Sequence, residues 1–247
     1  MKTPPGRLFC LIASCLVVAT VSVAQPATNA LYSYRENHDP DGIGKFYQGR
    51  EIAEVMGHQA ADWLDRPERL AEERPDLLLE AIALRPGDVV ADIGAGTGYL
   101  SWRMAEIVGS NGCVYANDIQ QEMLDLLARN MAAHHATNFH AVLGTITNAQ
   151  LPASTLDLAI MVDVYHEFDH PYEMMQSITR ALKPGGRIVW VEYRAEDPDV
   201  PIKPLHKMAV AQVRKEAALL PLQWVQTLET LPRQHVIIFR KVAKNPF

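Results

Sequence analysis

Val90-Ala91-Asp92-Ile93-Gly94-Ala95-Gly96-Thr97-Gly98 is the stretch that decides how this chain folds. The apolar run Asp88 to Ile93 ends in three glycines at alternate positions. Leu100, Met104, Ile107 and Val108 then recur about one helical turn apart. This is the pattern of a strand, a tight turn and a helix. Glycine lacks a Cβ, so such a turn can adopt positive φ and let a ligand approach the backbone. The helix expected from Gly98 to Val108 points its free N–H groups and its positive dipole end at the same place. In an open α/β sheet, ligands sit at the carboxyl ends of strands where the winding reverses. A small-molecule site is therefore expected here.

The glycine spacing narrows the ligand. A dinucleotide loop has glycine at its first, third and sixth positions; counted from Gly94, the sixth residue is Tyr99. Asp92, two residues ahead of the loop, repels a pyrophosphate and suits a cation. The stretch resembles the first motif of the class I S-adenosylmethionine-dependent methyltransferases. The resemblance implies a Rossmann-like α/β methyltransferase fold: a mostly parallel seven-stranded sheet, an antiparallel C-terminal hairpin, and helices on both faces. It also implies S-adenosyl-L-methionine as cofactor, held by Asp92, Gly94, Ala95, Gly96, Thr97 and Gly98.

From Asp88 onward the pattern alternates strand and helix, as in parallel βαβ units. A second strand is expected over Cys113–Asn117. Asp118 closes it, 20 residues beyond Gly98, with Ile119 beside it. A carboxylate there can accept from both ribose hydroxyls while an apolar neighbour packs on adenine. The competing role for Asp118 is to cap the helix that starts at Gln120. A third strand, Phe139–Leu143, leads to Gly144-Thr145. Many methyltransferases carry an aspartate two residues after a glycine here; this chain has Ile146, which leaves the backbone near Thr145 as the adenine contact.

The fourth strand, Asp157–Val162, ends in Asp163-Val164-Tyr165-His166-Glu167-Phe168. The resemblance places this segment beside the methionine moiety and the methyl acceptor. Asp163, Tyr165 and His166 are thus the candidate catalytic residues, with His166 the first choice for a base and Asp163 also a cofactor ligand. The alternative for His166 is a structural histidine. His166-Glu167-Phe168-Asp169-His170 also matches the His-Glu-x-x-His pattern of zinc peptidases, which needs both histidines on one helical face. Pro171 disfavours helix at His170, and the preceding residues read as strand, so no metal is expected. Lys183-Pro184-Gly185-Gly186 resembles the loop before the fifth methyltransferase strand, here Arg187–Tyr193. A helix over Leu205–Leu219 and strands over Leu222–Leu228 and Val236–Arg240 complete the pattern.

Ahead of the first strand, residues 25–46 read as an extended polar arm. Helices are expected over Arg50–Asp65 and Pro67–Leu84, forming a lid with Tyr47, Arg50 and His58 as candidates to shape the substrate pocket. The chain thus divides into a leader, 1–24, an arm and lid, 25–87, and a methyltransferase domain, 88–247. The leader carries Lys2 and Arg7, an apolar run from Leu8 to Ala19, and Ser22-Val23-Ala24 as a small-x-small cleavage site. This is a signal-peptide pattern and predicts export, with an uncleaved membrane anchor or a lipoprotein modified at Cys15 as alternatives. Cleavage leaves Cys113 as the one cysteine, too few for a disulfide or a cysteine metal site, and unlike the several thiols of arsenic-methylating enzymes.

The chain has 247 residues, a net charge of −6 and a pI of about 5.8. That length builds one α/β domain with a sizeable core, and that charge disfavours nucleic acid as a partner. A membrane enters only through an uncleaved leader. The expected chemistry is methyl transfer to a small molecule, with oxygen, nitrogen, carbon and sulfur all open as the attacking atom. Export sits badly with a cofactor made in the cytosol, so the second reading is a non-catalytic binding module of the same fold.

Overall fold

The computed structural model describes Met1 and residues 31–243. The expected leader and its cleavage site fall almost wholly outside the described residues. Among the described residues, no helix is long and apolar enough to cross a membrane.

Seven strands form the main sheet: β4 (Val89–Ile93), β5 (Cys113–Asp118), β6 (Phe139–Leu143), β7 (Leu156–Val162), β8 (Leu182–Arg194), β10 (Leu222–Leu228) and β11 (Gln234–Lys241). Their spatial order is β10-β11-β8-β7-β4-β5-β6. The strands from β6 across to β8 run parallel, whereas β11 lies antiparallel to both β8 and β10. An eighth strand, the two-residue β9 (Lys207–Met208), was not expected. It pairs with Tyr193 and Arg194, where β8 extends beyond the end of β7.

The central strands are apolar throughout because both faces are covered. Along β8, Ile188 and Trp190 pack on one face, and Val189 and Val191 on the other. Strand β11 alternates in the same way, with Ile237 and Phe239 opposite Val236 and Ile238. Helices α5 (Pro171–Ala181) and α6 (Val210–Ala217) cover the first face. The second is covered by α2 (Pro75–Ile82), α3 (Ser101–Val108) and α4 (Gln121–Ala133). In register, β4 ends at Ile93, β5 at Asp118 and β7 at Val162. Gly94, Asp118 and Asp163 therefore share the carboxyl edge of the sheet.

Residues 31–87 depart from expectation. In place of an extended arm and a helix at Arg50 stands a small antiparallel sheet of β1 (Tyr32–Tyr34), β2 (Gly42–Tyr47) and β3 (Arg50–Ala53). Gln48 and Gly49 both have positive φ, +51° and +90°, between Tyr47 and Arg50, which pair. Two such residues make the hairpin turn that matches strand twist. A 3-10 helix, His58–Trp63, follows, and the long lid helix divides into α1 (Arg69–Glu73) and α2. The break falls at Arg74, φ +50°, directly before Pro75, where proline disfavours helix in the preceding residue.

Arg50 is not a lid residue. Its guanidinium forks onto buried Glu216, at 2.9 and 3.1 Å, and donates to the carbonyl of His166 at 3.0 Å. Tyr165 OH donates to the same carboxylate at 2.7 Å. Removing one partner of a buried pair leaves an uncompensated charge, a loss of about 3–5 kcal/mol. Arg50→Met is accordingly expected to lower unfolding stability by about that amount, read from the midpoint of urea unfolding. A loss under about 1 kcal/mol would show that Glu216 is satisfied without it.

Candidate active site

A cavity of about 580 Å³ opens at the carboxyl edge of the sheet. Gly94, Gly96, Asp118, Ile119, Asp163 and His166 all line it. These six expected site residues are brought together by the register of β4, β5 and β7. The loop glycines have φ of +68° at Gly94 and +54° at Gly96, the left-handed region that disfavours a side chain. A Cβ on Gly94 would lie 2.4 Å from Val164 Cγ2, and one on Gly96 2.5 Å from Leu64 Cδ1.

Asp118 holds the loop and faces the cavity at once. Its Oδ2 accepts from Gly96 N–H and its Oδ1 from Gln120 N–H, each at 2.9 Å. Burial pushes its carboxyl up, while the N–H groups of Gln120, Gly96 and Ile119 hold it down. Capping and ligand contact are thus compatible, because each carboxylate oxygen has a second lone pair.

Other expected contacts stand behind the wall. Asp92 is buried, does not line the cavity, and accepts from Ser101 Oγ at 2.7 Å. It braces the first turn of α3. Thr97 donates to Asp65 at 2.9 Å and its carbonyl receives Asn130 at 3.1 Å, tying the loop to the lid and to α4. Ala95 and Gly98 lie off the lining, with Gly98 closing a turn onto the carbonyl of Ala95 at 2.9 Å. Thr145 is exposed and pairs with Asn148, so that Ile146 meets the cavity in its place.

Tyr165 is a core residue. The 3-10 turn Tyr165–Glu167 swings its ring between Phe168 and Trp190, with centroids 5.3 and 5.4 Å away, and leaves His166 and Glu167 on the cavity wall. The same turn removes the His-Glu-x-x-His pattern from a helix. His170 precedes α5, lies off the cavity lining and meets Tyr32 edge-on.

Burial moves the titrating groups of this site far from their ordinary values. Asp92 rises from 3.8 to about 6, with Ser101 opposing the rise. An aspartate raised in this way favours the folded state in acid and loses that contribution as pH climbs through about 6. Against Asp92→Asn, the wild-type chain is expected to lose about 3 kcal/mol of stability between pH 4 and pH 7. Parallel urea midpoints for the two chains across that range would show Asp92 ionising freely.

Asp163 is pushed well above its ordinary value by burial and by Glu73 and Glu192, with Arg69 and Gln234 opposing. Its φ is +51°, its Oδ2 receives Gln234 Nε2 at 2.6 Å, and its buried Oδ1 has no partner. His166 Nδ1 and Glu192 Oε2 are hydrogen-bonded at 2.6 Å; burial lowers the imidazole to about 4 and raises the carboxyl to about 8. Glu167 rises to about 7 by burial, against the pull of His166 and of Met56 N–H.

Sequence reasoning missed several wall residues. Gln120 clamps the lid by donating to the carbonyl of Met56 and accepting from His58 N–H, both at 2.9 Å. Val55, Met56, Trp63 and Leu64 form the apolar lid in place of Tyr47 and His58, which lie off the lining. Glu192 had a readable signal: it is a carboxylate inside the apolar run Ile188–Tyr193, near the end of a central strand. His206 had none, because its place depends on the loop that follows β8.

A family model described as a methyltransferase domain matches residues 84–235. The chain belongs to the class I S-adenosylmethionine-dependent methyltransferase family. Among solved structures, a SAM-dependent methyltransferase from Aquifex aeolicus superposes with a TM-score of 0.72 at 22% identity, over 76% of this chain and 100% of that one. Such a likeness establishes the fold. A possible exported protein from Bordetella parapertussis superposes at 0.55 and 21% identity, over 69% and 67% of the two chains. The ubiquinone/menaquinone biosynthesis C-methyltransferase UbiE of Ectopseudomonas mendocina is 32% identical over 47% of this chain and 45% of its own length. The arsenite methyltransferase of Halobacterium salinarum is 29% identical over 65% of this chain and 36% of its own. The chain therefore spans less than half the length of these curated relatives.

Proposed function

We propose that this methyltransferase acts on a small, largely apolar acceptor held against His166 and Glu167, with S-adenosylmethionine in the glycine-loop end of the same cavity. The fit rests on two observations. Gly94 and Gly96 bare the backbone where a Cβ would intrude, and Asp163 presents a buried oxygen without a partner, suited to a cationic or N–H donor. Asp118 would hold the ribose hydroxyls, with Ile119 and Ile146 as apolar neighbours of the base. Bound there, S-adenosylmethionine supplies a methyl group already activated on a sulfonium.

The chain then has three tasks. The lid and the strand edge exclude water and set the approach, which is where most of the rate gain in such a displacement arises. Val55, Met56, Trp63, Val164, Phe168 and Met174 make the acceptor's surroundings apolar. His166, neutral and braced by Glu192, is the polar group beside the acceptor and takes up a proton where the acceptor must release one. The observation that carries this reading is the shared cavity that joins Asp118 and the glycine loop to the His166–Glu192 pair. Arsenite as acceptor gains no support, since Cys113 begins β5 at the end remote from Asp118.

The reading is tested with methyl-labelled S-adenosylmethionine and a panel of phenols, quinols and amines. His166→Ala should lose at least about 100-fold in turnover, the usual worth of a positioned proton acceptor, yet bind S-adenosylhomocysteine as the wild-type chain does. Unchanged turnover in that variant would remove His166 from the chemistry.

A further inference from the structure

His166 Nε2 and His206 Nδ1 stand 3.1 Å apart on the cavity wall. Glu167 Oε1 completes a triangle with them, 3.8 Å from the first nitrogen and 3.7 Å from the second. Three atoms so spaced lie on a circle of about 2.1 Å radius, which matches the bond length of roughly 2.0–2.2 Å between zinc and nitrogen or carboxylate oxygen. We propose that His166, Glu167 and His206 form a binding site for a divalent transition cation. This inference rests on the function proposed above and names what stands at the acceptor's end of the cavity.

The surroundings are those of a built site. With Glu192 ionised, His166 Nδ1–H donates to it, and Nε2 turns its lone pair toward His206. Such a carboxylate behind a ligating imidazole fixes its tautomer and orientation. Glu192 is itself held, since its Oε1 accepts from Tyr165 N–H at 3.1 Å and its side chain is fully buried. Arg50 fixes the backbone of His166 by binding its carbonyl. The two histidines come from different 3-10 turns, Tyr165–Glu167 and Pro204–His206, and their rings meet edge-on with centroids 5.0 Å apart. Lys203, the nearby cation in the lining, is engaged by Asp41.

Two imidazoles and one carboxylate suit zinc, cobalt, manganese or ferrous iron. Magnesium and calcium favour all-oxygen sites. Three protein ligands leave coordination positions that open onto the cavity. An acceptor hydroxyl bound there would lose its proton more readily, as water does on a catalytic zinc. The site is distinct from the His-Glu-x-x-His reading, because His170 takes no part.

The full chain, stripped with a chelator and dialysed, is titrated with Co²⁺ and with Zn²⁺. The wild-type chain should take up one cation, with the intense visible bands of low-coordinate cobalt. His206→Ala and Glu167→Gln should each weaken uptake at least tenfold, and Glu192→Gln by about 10–100-fold. His170→Ala should match the wild-type chain. Absence of saturable uptake in the wild-type chain would overturn the site, as would His206→Ala binding cobalt as tightly. S-adenosylhomocysteine binding, measured on the same samples, separates the two readings: saturable cobalt uptake without it would keep the cation site and remove the transferase.

Discussion

Asp118→Asn is expected to weaken S-adenosylhomocysteine binding by at least about 100-fold. The aspartate faces the cavity while its two oxygens accept backbone N–H groups from Gly96 and Gln120. Its remaining lone pairs are those available to a ribose diol. Two charge-assisted hydrogen bonds contribute roughly 1.5–3 kcal/mol each, and every 1.4 kcal/mol is about tenfold in affinity. Asparagine keeps the shape, loses the charge, and replaces one accepting oxygen with a donor. Asp118→Ala should bind no better and should also lower stability by about 1–3 kcal/mol, since two buried N–H groups lose their acceptor. Calorimetric titration reads the affinity, and urea unfolding reads the stability. Affinity within about threefold of the wild-type value in both variants would reduce Asp118 to a brace for the loop.

Gly96→Val is expected to abolish binding of the same ligand. Gly96 lines the cavity at φ +54°, and a Cβ there would lie 2.5 Å from Leu64 Cδ1. A β-branched side chain in this region is strained by roughly 1–3 kcal/mol. That is less than the stability of about 5–15 kcal/mol typical of a domain, so the variant should fold. It would displace Leu64 or fill the space that the lid leaves over the loop. Gly96→Ala should fall between the two. A folded Gly96→Val chain with wild-type affinity would place the ligand elsewhere.

The parts of this molecule legible in its sequence are those fixed by local chemistry. Three alternate glycines after an apolar run admit few backbones, and an aspartate closing the next strand shares its edge because parallel strands stay in register. The order of strands and helices from Val89 to Lys241 followed from the same alternation. What escaped depends on distant partners. Ile52, Val55, Met56, Ala60 and Trp63 imitate helical spacing, yet the hairpin at Gln48-Gly49 and the pairing of Arg50 with Glu216 make the first of them strand. Gly49 was the readable sign of that turn. After Val162 nothing local says which side chain turns inward. The 3-10 turn sends Tyr165 into the core because Glu216, 51 residues away, accepts its hydroxyl. Asp92 was read as a ligand residue because its position is one; Ser101 and burial place it behind the loop. His206 joins His166 only through tertiary structure, so no spacing rule could pair them.

Calorimetric titration of the full chain with S-adenosylhomocysteine, and separately with NAD, tests the central claim most directly. The cavity at the glycine loop, with Asp118 on one side and Asp163 on the other, predicts saturable binding of S-adenosylhomocysteine at one site and no heat with NAD. Saturable NAD binding with no response to S-adenosylhomocysteine would contradict it.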